Sequence, residues 1–162
     1  MDKQKVIVEM KQVYKDRPQG IEHTLRVLNN AEVIMAEENL SDQDQELIAI
    51  AAILHDIGIP KALEKYGSSK STFQEQEGGV IARSILEKLG YDSDKTDRVC
   101  YIVGNHHTKS KIDGLDFQII WEADLLVNLE NMEISKTPQK LEGYIKENFK
   151  TQGGLKLIKK EF

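Results

Sequence analysis

The sequence predicts an all-α fold, a helical bundle, on three observations. Apolar residues recur mostly at spacings of three and four, which is the period of one helical face. Only three prolines are present to interrupt that pattern. The 162 residues are 40% apolar and 30% charged, a composition typical of one globular domain of ordinary size. We therefore expect a single domain over residues 1–162.

Periodicity and turn signals together predict where each helix begins and ends. Pro18 disfavours helix in the residue before it, and Ser41 is an N-cap signal with acids in the following turn. Gly58-Ile59-Pro60 should stop the third helix, and Gly90 should cap the fourth. The predicted helices span residues 2–15, 21–39, 42–57, 73–89, 94–106, 117 to a break at 132, 138–149 and 152–160.

Charge, apolar runs and cysteine content also exclude some binding partners and some cellular compartments. The net charge of −5 and the pI near 5.4 provide no basic surface for duplex nucleic acid or an anionic membrane. No apolar run approaches the roughly 18 residues of a membrane span, and the N-terminal segment lacks the apolar core of a secretory signal. Cys100 is the single cysteine, which excludes an internal disulfide. We expect a cytoplasmic protein, and its oligomeric state stays open.

Several histidines and aspartates lie at helix ends or inside apolar helices. His55-Asp56 ends the apolar third helix, and burying an imidazole beside a carboxylate is costly unless something positive, such as a divalent metal, satisfies both. Asp124 interrupts another apolar stretch. Taken singly, each has a structural alternative: Asp56 as a turn cap, Asp124 in a salt bridge, and His23 as a hydrogen-bonded core histidine.

The order of these residues along the chain resembles the HD superfamily of metal-dependent phosphohydrolases. That pattern is a first histidine, a His-Asp pair and a distant aspartate from different helices, matched here by His23, His55-Asp56 and Asp124. The similar segments are His23-Thr24-Leu25-Arg26-Val27, His55-Asp56-Ile57-Gly58 and Asn105-His106-His107. The resemblance covers about residues 20–130 and implies an HD-type core on which the N-terminal and C-terminal helices pack.

The resemblance implies a metal centre between helices. The four matching side chains would hold one divalent ion. His106-His107 match the two consecutive histidines that hold a second ion in some members, with Asp56 as the bridging ligand. Imidazoles and carboxylates suit manganese, zinc, nickel or iron better than calcium or magnesium. The candidate metal ligands are His23, His55, Asp56, Asp124, His106 and His107.

The chain departs from better-known members of the superfamily. Two-metal members commonly place a further histidine before the helix that starts here near Phe73, where this chain has Gln74-Glu75-Gln76-Glu77. Glu77 is a candidate replacement ligand or general acid or base, and also fits a solvated acid at a helix start. No Gly-Tyr-Pro follows His107, which argues against cyclic-dinucleotide phosphodiesterase activity. The acidic pair typical of guanosine tetraphosphate hydrolases is absent after the His-Asp pair, which argues against that activity.

Three cations are candidates for contact with a substrate phosphate. Lys61 follows the His-Asp pair by five residues, Arg26 lies one turn beyond the first histidine, and Lys109 follows the double histidine. Each also fits a plain surface charge. Trp121 is open to stacking on a nucleobase or to packing in the core.

These residues predict a metal-dependent phosphohydrolase. A metal-activated water would cleave a phosphomonoester or phosphodiester of a small substrate, nucleotides included, with Asp56, Glu77 and Lys61 as catalytic candidates. One alternative is a regulatory or binding module in which the ion only ties helices together, and closed coordination would favour it. Another is a di-iron oxygenase, against which Gln76 argues because the second ligand set would be incomplete.

Overall fold

The structure, a computed structural model, describes residues 2–162 and contains nine α-helices and no strand within that range. The predicted all-α class is confirmed. The helices are α1 (Lys3–Tyr14), α2 (Pro18–Ala36), α3 (Asp42–Leu54), α4 (Ile59–Tyr66), α5 (Ser71–Lys88), α6 (Ser93–Val103), α7 (Leu115–Asn128), α8 (Pro138–Asn148) and α9 (Gln152–Glu161). Short 3-10 turns occupy Lys109–Lys111, Leu129–Asn131 and Glu133–Lys136.

Helix α4 is the element that the sequence pattern did not predict. The apolar run predicts that the third helix continues to Ile57, but α3 ends at Leu54 and residues 55–58 form turns. Pro60 then lies in the first turn of α4, where its missing N–H has no intrahelical partner to lose. A proline expected only as a stop therefore also starts the next helix.

The central element of the fold is α3. Its residues from Leu47 to Leu54 are all buried, which explains why its apolar positions cover every face. Helices α1, α2, α6 and α7 pack around it, and α9 packs against α2 and α7. Within residues 2–162, no helix is both long and apolar enough to cross a bilayer.

A buried carboxylate attaches the C-terminal helices to α7. Glu122 has no exposed surface and accepts hydrogen bonds from the Gln118 side chain, the backbone N–H groups of Lys150 and Thr151, and the Thr151 hydroxyl. A buried carboxylate without such donors would be strongly destabilising. These bonds fix the α8–α9 turn on α7, the helix that also carries Asp124.

Gly58 allows the turn after α3 to approach α5 closely. A Cβ at this position would lie 2.2 Å from the Gln74 carbonyl oxygen and 2.5 Å from the Gly78 nitrogen. Both neighbours are backbone atoms, which cannot swing aside as a flexible side chain would. The absence of a side chain at Gly58 therefore allows α5 to lie directly against residues 55–58.

We predict that Gly58→Ala lowers the free energy of unfolding by about 3 kcal/mol, because the added methyl group overlaps the α5 backbone. Urea denaturation in the presence of a chelator measures this change without a contribution from bound metal. The matched control is Gly143→Ala on the exposed face of α8, where a Cβ meets no atom within 4 Å. That variant should gain roughly 0.5 kcal/mol from helix propensity. Equal stabilities of the two variants would contradict the account.

Candidate metal centre

All six candidate ligands converge at one place in the fold. They come from α2, from the turn after α3, from the turn after α6 and from α7. They form two clusters that share Asp56, and within each cluster the ligand atoms lie within 4.8 Å of one another. The first cluster is His23, His55, Asp56 and Asp124, and the second is Asp56, His106 and His107.

His55 and His106 are each held by the helix that precedes them. The Nδ1 atom of His55 lies 2.6 Å from the Ala52 carbonyl oxygen, and that of His106 lies 2.7 Å from the Val103 carbonyl oxygen. A carbonyl can only accept, so both Nδ1 atoms carry a proton. In the neutral imidazole each Nε2 atom then keeps its lone pair, as in histidines that bind metals.

The Nε2 atom of His55 has no hydrogen-bond partner within the described chain, although its side chain is fully buried. It faces Asp56 Oδ2 at 3.2 Å and Asp124 Oδ1 at 3.3 Å. A lone pair that faces two buried carboxylates is unfavourable unless a proton or a cation lies among them. Two imidazoles and two carboxylates form a ligand set that divalent transition metals accept. The residues therefore fit a metal ion.

The charges of the cluster show how strongly it favours a positive group. Burial alone would raise the pKa of Asp56, but the His55 charge and hydrogen bonds with His106 and His23 hold that pKa well below its usual range. Burial would lower the pKa of His23, but hydrogen bonds with Asp124 and Asp56 outweigh it and raise the pKa to about 9. A metal ion that binds His23 at neutral pH must therefore displace a proton.

Asp56 faces both clusters through different oxygens. Its Oδ2 atom lies 3.3 Å from His23 Nε2 and 3.2 Å from His55 Nε2, whereas its Oδ1 atom lies 3.0 Å from His106 Nε2. The Tyr14 hydroxyl donates a 2.8 Å hydrogen bond to the Asp56 carbonyl oxygen and fixes the backbone there. This arrangement suits the bridging role that the resemblance implies.

The side chain of α5 that reaches the second cluster is Gln74. Its Oε1 atom lies 3.0 Å from His107 Nε2. The next residue, Glu75, accepts hydrogen bonds from the His107 N–H and the Thr108 hydroxyl, and so fixes the turn that carries both histidines. An amide is a weaker ligand than an imidazole for transition metals, so the two clusters are chemically unequal.

Glu77 does not take the position that the sequence suggested for it. Its carboxylate accepts a 3.2 Å hydrogen bond from the Tyr66 hydroxyl and lies 3.6 Å from Lys65 Nζ. It borders neither cluster and does not line the cavity described below. These contacts with Tyr66 and Lys65 hold the Glu77 carboxylate against α4.

The three cations considered from the sequence also lie away from the centre. Lys61 is exposed beside a glutamate of its own helix, Arg26 forms an ion pair with Glu130, and Lys109 donates to a backbone carbonyl of α8. Trp121 is half-buried and donates to a side chain of α8. None of these residues lines the cavity beside the clusters.

An open cavity of about 660 Å³ leads to the clusters. Its wall includes His23, Asp56 and Asp124, together with apolar residues of α4 and the turn between α1 and α2. The volume is that of a small-molecule site. Tyr14 and Arg17 also line it, although neither is among the site residues predicted from the sequence. The sequence does contain a signal for Arg17. It directly precedes Pro18, and the residue before a helix start is usually one that caps the helix.

Comparisons with known proteins bear on the family and the fold of this chain. Residues 20–144 match a family model described as HD domain. The fold is similar to the 1.45 Å crystal structure of a predicted HD superfamily hydrolase from an uncultured Thermotogales bacterium. The TM-score is 0.67 and the identity 22%, with 93% of this chain and 79% of that chain covered. No match was found among curated proteins.

We predict that Gln74→His tightens binding of a second ion by about tenfold or more, because an imidazole replaces a weak amide ligand. Titration of the metal-free protein with Mn²⁺, followed by electron paramagnetic resonance, gives the stoichiometry and both affinities.

The control is Gln76→His, which places the same imidazole on the exposed face of α5. It should leave the weaker affinity unchanged. If both variants bind the second ion as the wild type does, Gln74 does not border an ion site.

Proposed function

Because the chain belongs to the HD domain family, we propose that it is a metal-dependent phosphohydrolase. Its substrate would be a small phosphomonoester or phosphodiester, nucleotides included. The observation that carries this proposal is that His23, Asp56 and Asp124 of the first cluster all border the open cavity. Water and a small molecule can therefore reach the place where an ion would be held.

This openness favours an enzyme over a metal-stabilised module. An ion that only ties helices together is normally enclosed by protein ligands, whereas a catalytic ion keeps a position for water or substrate. His55 and His106 are buried on the inner side of the clusters, while His23 and His107 are partly exposed toward the cavity. The centre thus has a closed side and an accessible side.

The charges and orientations of the side chains in this site are already set before a substrate binds. A divalent ion, when bound, would supply a water of lowered pKa and would neutralise charge on phosphoryl oxygens. Asp56 and Asp124 remain ionised, because the surrounding histidines lower the pKa of both carboxyls. The carbonyl contacts of His55 and His106 keep their Nε2 atoms pointed at Asp56. No reorientation of these groups is then required during the reaction.

The di-iron oxygenase alternative receives less support from this geometry. A di-iron oxygenase needs a complete second ligand set, and Gln74 supplies only an amide at that position. Gln76, which suggested the same conclusion from the sequence, is exposed on the other side of α5. Glu77 and Lys61 have no part in the proposed reaction, because neither borders the cavity.

We predict that Asp56→Asn lowers metal-dependent hydrolysis of p-nitrophenyl phosphate and bis(p-nitrophenyl) phosphate by about a thousandfold. The amide cannot supply the negative charge that both clusters share. Steady-state rates with Mn²⁺, Zn²⁺, Ni²⁺ and Fe²⁺ measure the effect, and circular dichroism checks the helical content.

Asp97→Asn is the matched control, since Asp97 lies on the exposed face of α6 and pairs with Arg83. It should retain wild-type rates. Full activity of Asp56→Asn, or no hydrolysis by the wild type with any of these ions, would refute the proposed function.

A further inference from the structure

The turn between α1 and α2 borders the same cavity as the metal centre. Asp16 and Arg17 of this turn line the cavity with His23 and Asp56. Among residues 2–162, Lys15 is the one non-glycine residue with a positive φ, at +50°. Such a conformation is strained and persists only where the surrounding structure holds it. The fold thus maintains a strained backbone directly before the two charged residues that face the cavity.

Arg17 is placed poorly for the stability of its own helix. It occupies the N-cap of α2, where serine, threonine, aspartate or asparagine would accept a hydrogen bond from the first turn. Its side chain makes no capping hydrogen bond. It is exposed, and no ion pair within the described chain includes it. Neither capping nor a salt bridge accounts for an arginine at this position.

Arg17 is also the sole lysine or arginine among the described residues that line the cavity. Asp56 and Asp124 balance the two charges of a divalent ion, so the loaded first cluster is nearly neutral. Outside the metal centre, the charged residues of the described chain that line this cavity are Arg17 and Asp16, so the Arg17 guanidinium is the one cationic group that an anionic ligand meets there.

Direct contact with the Arg17 guanidinium distinguishes two kinds of phosphate ester. A phosphomonoester carries close to two negative charges at neutral pH, whereas a phosphodiester carries one and has one fewer unsubstituted oxygen. A guanidinium donates paired hydrogen bonds to two phosphoryl oxygens and compensates the added charge. These paired hydrogen bonds, rather than the net charge of the wall, favour the monoester, which offers more unsubstituted oxygens and more negative charge.

We propose that Arg17 binds the phosphoryl oxygens of the substrate and makes the protein prefer phosphomonoesters to phosphodiesters. The inference rests on the proposed function and narrows its substrate class. Arg17 is thereby a residue that touches the transferred phosphoryl group, and Lys15 and Asp16 belong to the turn that positions it.

The test compares kcat/KM for p-nitrophenyl phosphate and bis(p-nitrophenyl) phosphate in the metal-loaded protein. Arg17→Ala should lower the monoester value by about a hundredfold and the diester value by about threefold or less, and Arg17→Lys should recover part of the loss. Arg83→Ala, which removes a partly exposed arginine of α5 that does not line the cavity, should change neither value. A purely structural role of Arg17 would lower both values equally, and metal content should stay the same in every variant.

A second readout separates this inference from the proposed function. Calorimetry measures inorganic phosphate binding to the metal-loaded wild type and to Arg17→Ala, and we expect about tenfold weaker binding to the variant. Equal affinities, no phosphate binding to the wild type, preference of the wild type for the diester, or equal loss on both esters would overturn the inference. If the wild type hydrolyses neither ester, the proposed function fails, and the phosphate affinities still decide whether Arg17 binds a phosphoryl group.

Discussion

Two buried carboxylates, Asp56 and Asp124, face the Nε2 lone pair of His55 in the interior of the bundle. This arrangement is unfavourable without a positive charge, and much of the fold serves to create it. The carbonyl groups near the ends of α3 and α6 fix the tautomers of two histidines. Buried Glu122 ties the C-terminal helices to α7, and Gly58 lets α5 approach the turn that carries Asp56.

The centre is asymmetric in two respects, and both bear on its chemistry. The first cluster has two imidazoles and two carboxylates, whereas Gln74 supplies only an amide beside the second. The centre is closed on the side of His55 and open to a cavity on the side of His23. The turn between α1 and α2 adds the single arginine of that cavity wall. In the proposed function, recognition of the phosphoryl group and binding of the ion therefore belong to different parts of the chain.

The clustering of the candidate ligands could be predicted from the sequence because their residue types and their order along the chain match the HD pattern. Most helices could be predicted from apolar spacing, but α4 could not, since Pro60 suits a helix start as well as a stop. Lys61 and Glu77 show the limit of this reasoning. Spacing along the chain predicts which residues lie near the centre but not which way their side chains point. Lys61 pairs with Glu64, Glu77 contacts Tyr66, and neither lines the cavity. Arg17 lies on a turn, where no periodicity marks it.

The central claim is that the buried cluster holds a metal ion, and elemental analysis tests it most directly. The protein is purified without added metal or chelator, beside a His55→Ala variant whose helical content is checked by circular dichroism. The account predicts about one manganese, zinc, nickel or iron ion per wild-type chain and its loss in the variant. A folded wild type that retains no metal and binds none when it is added would contradict the account.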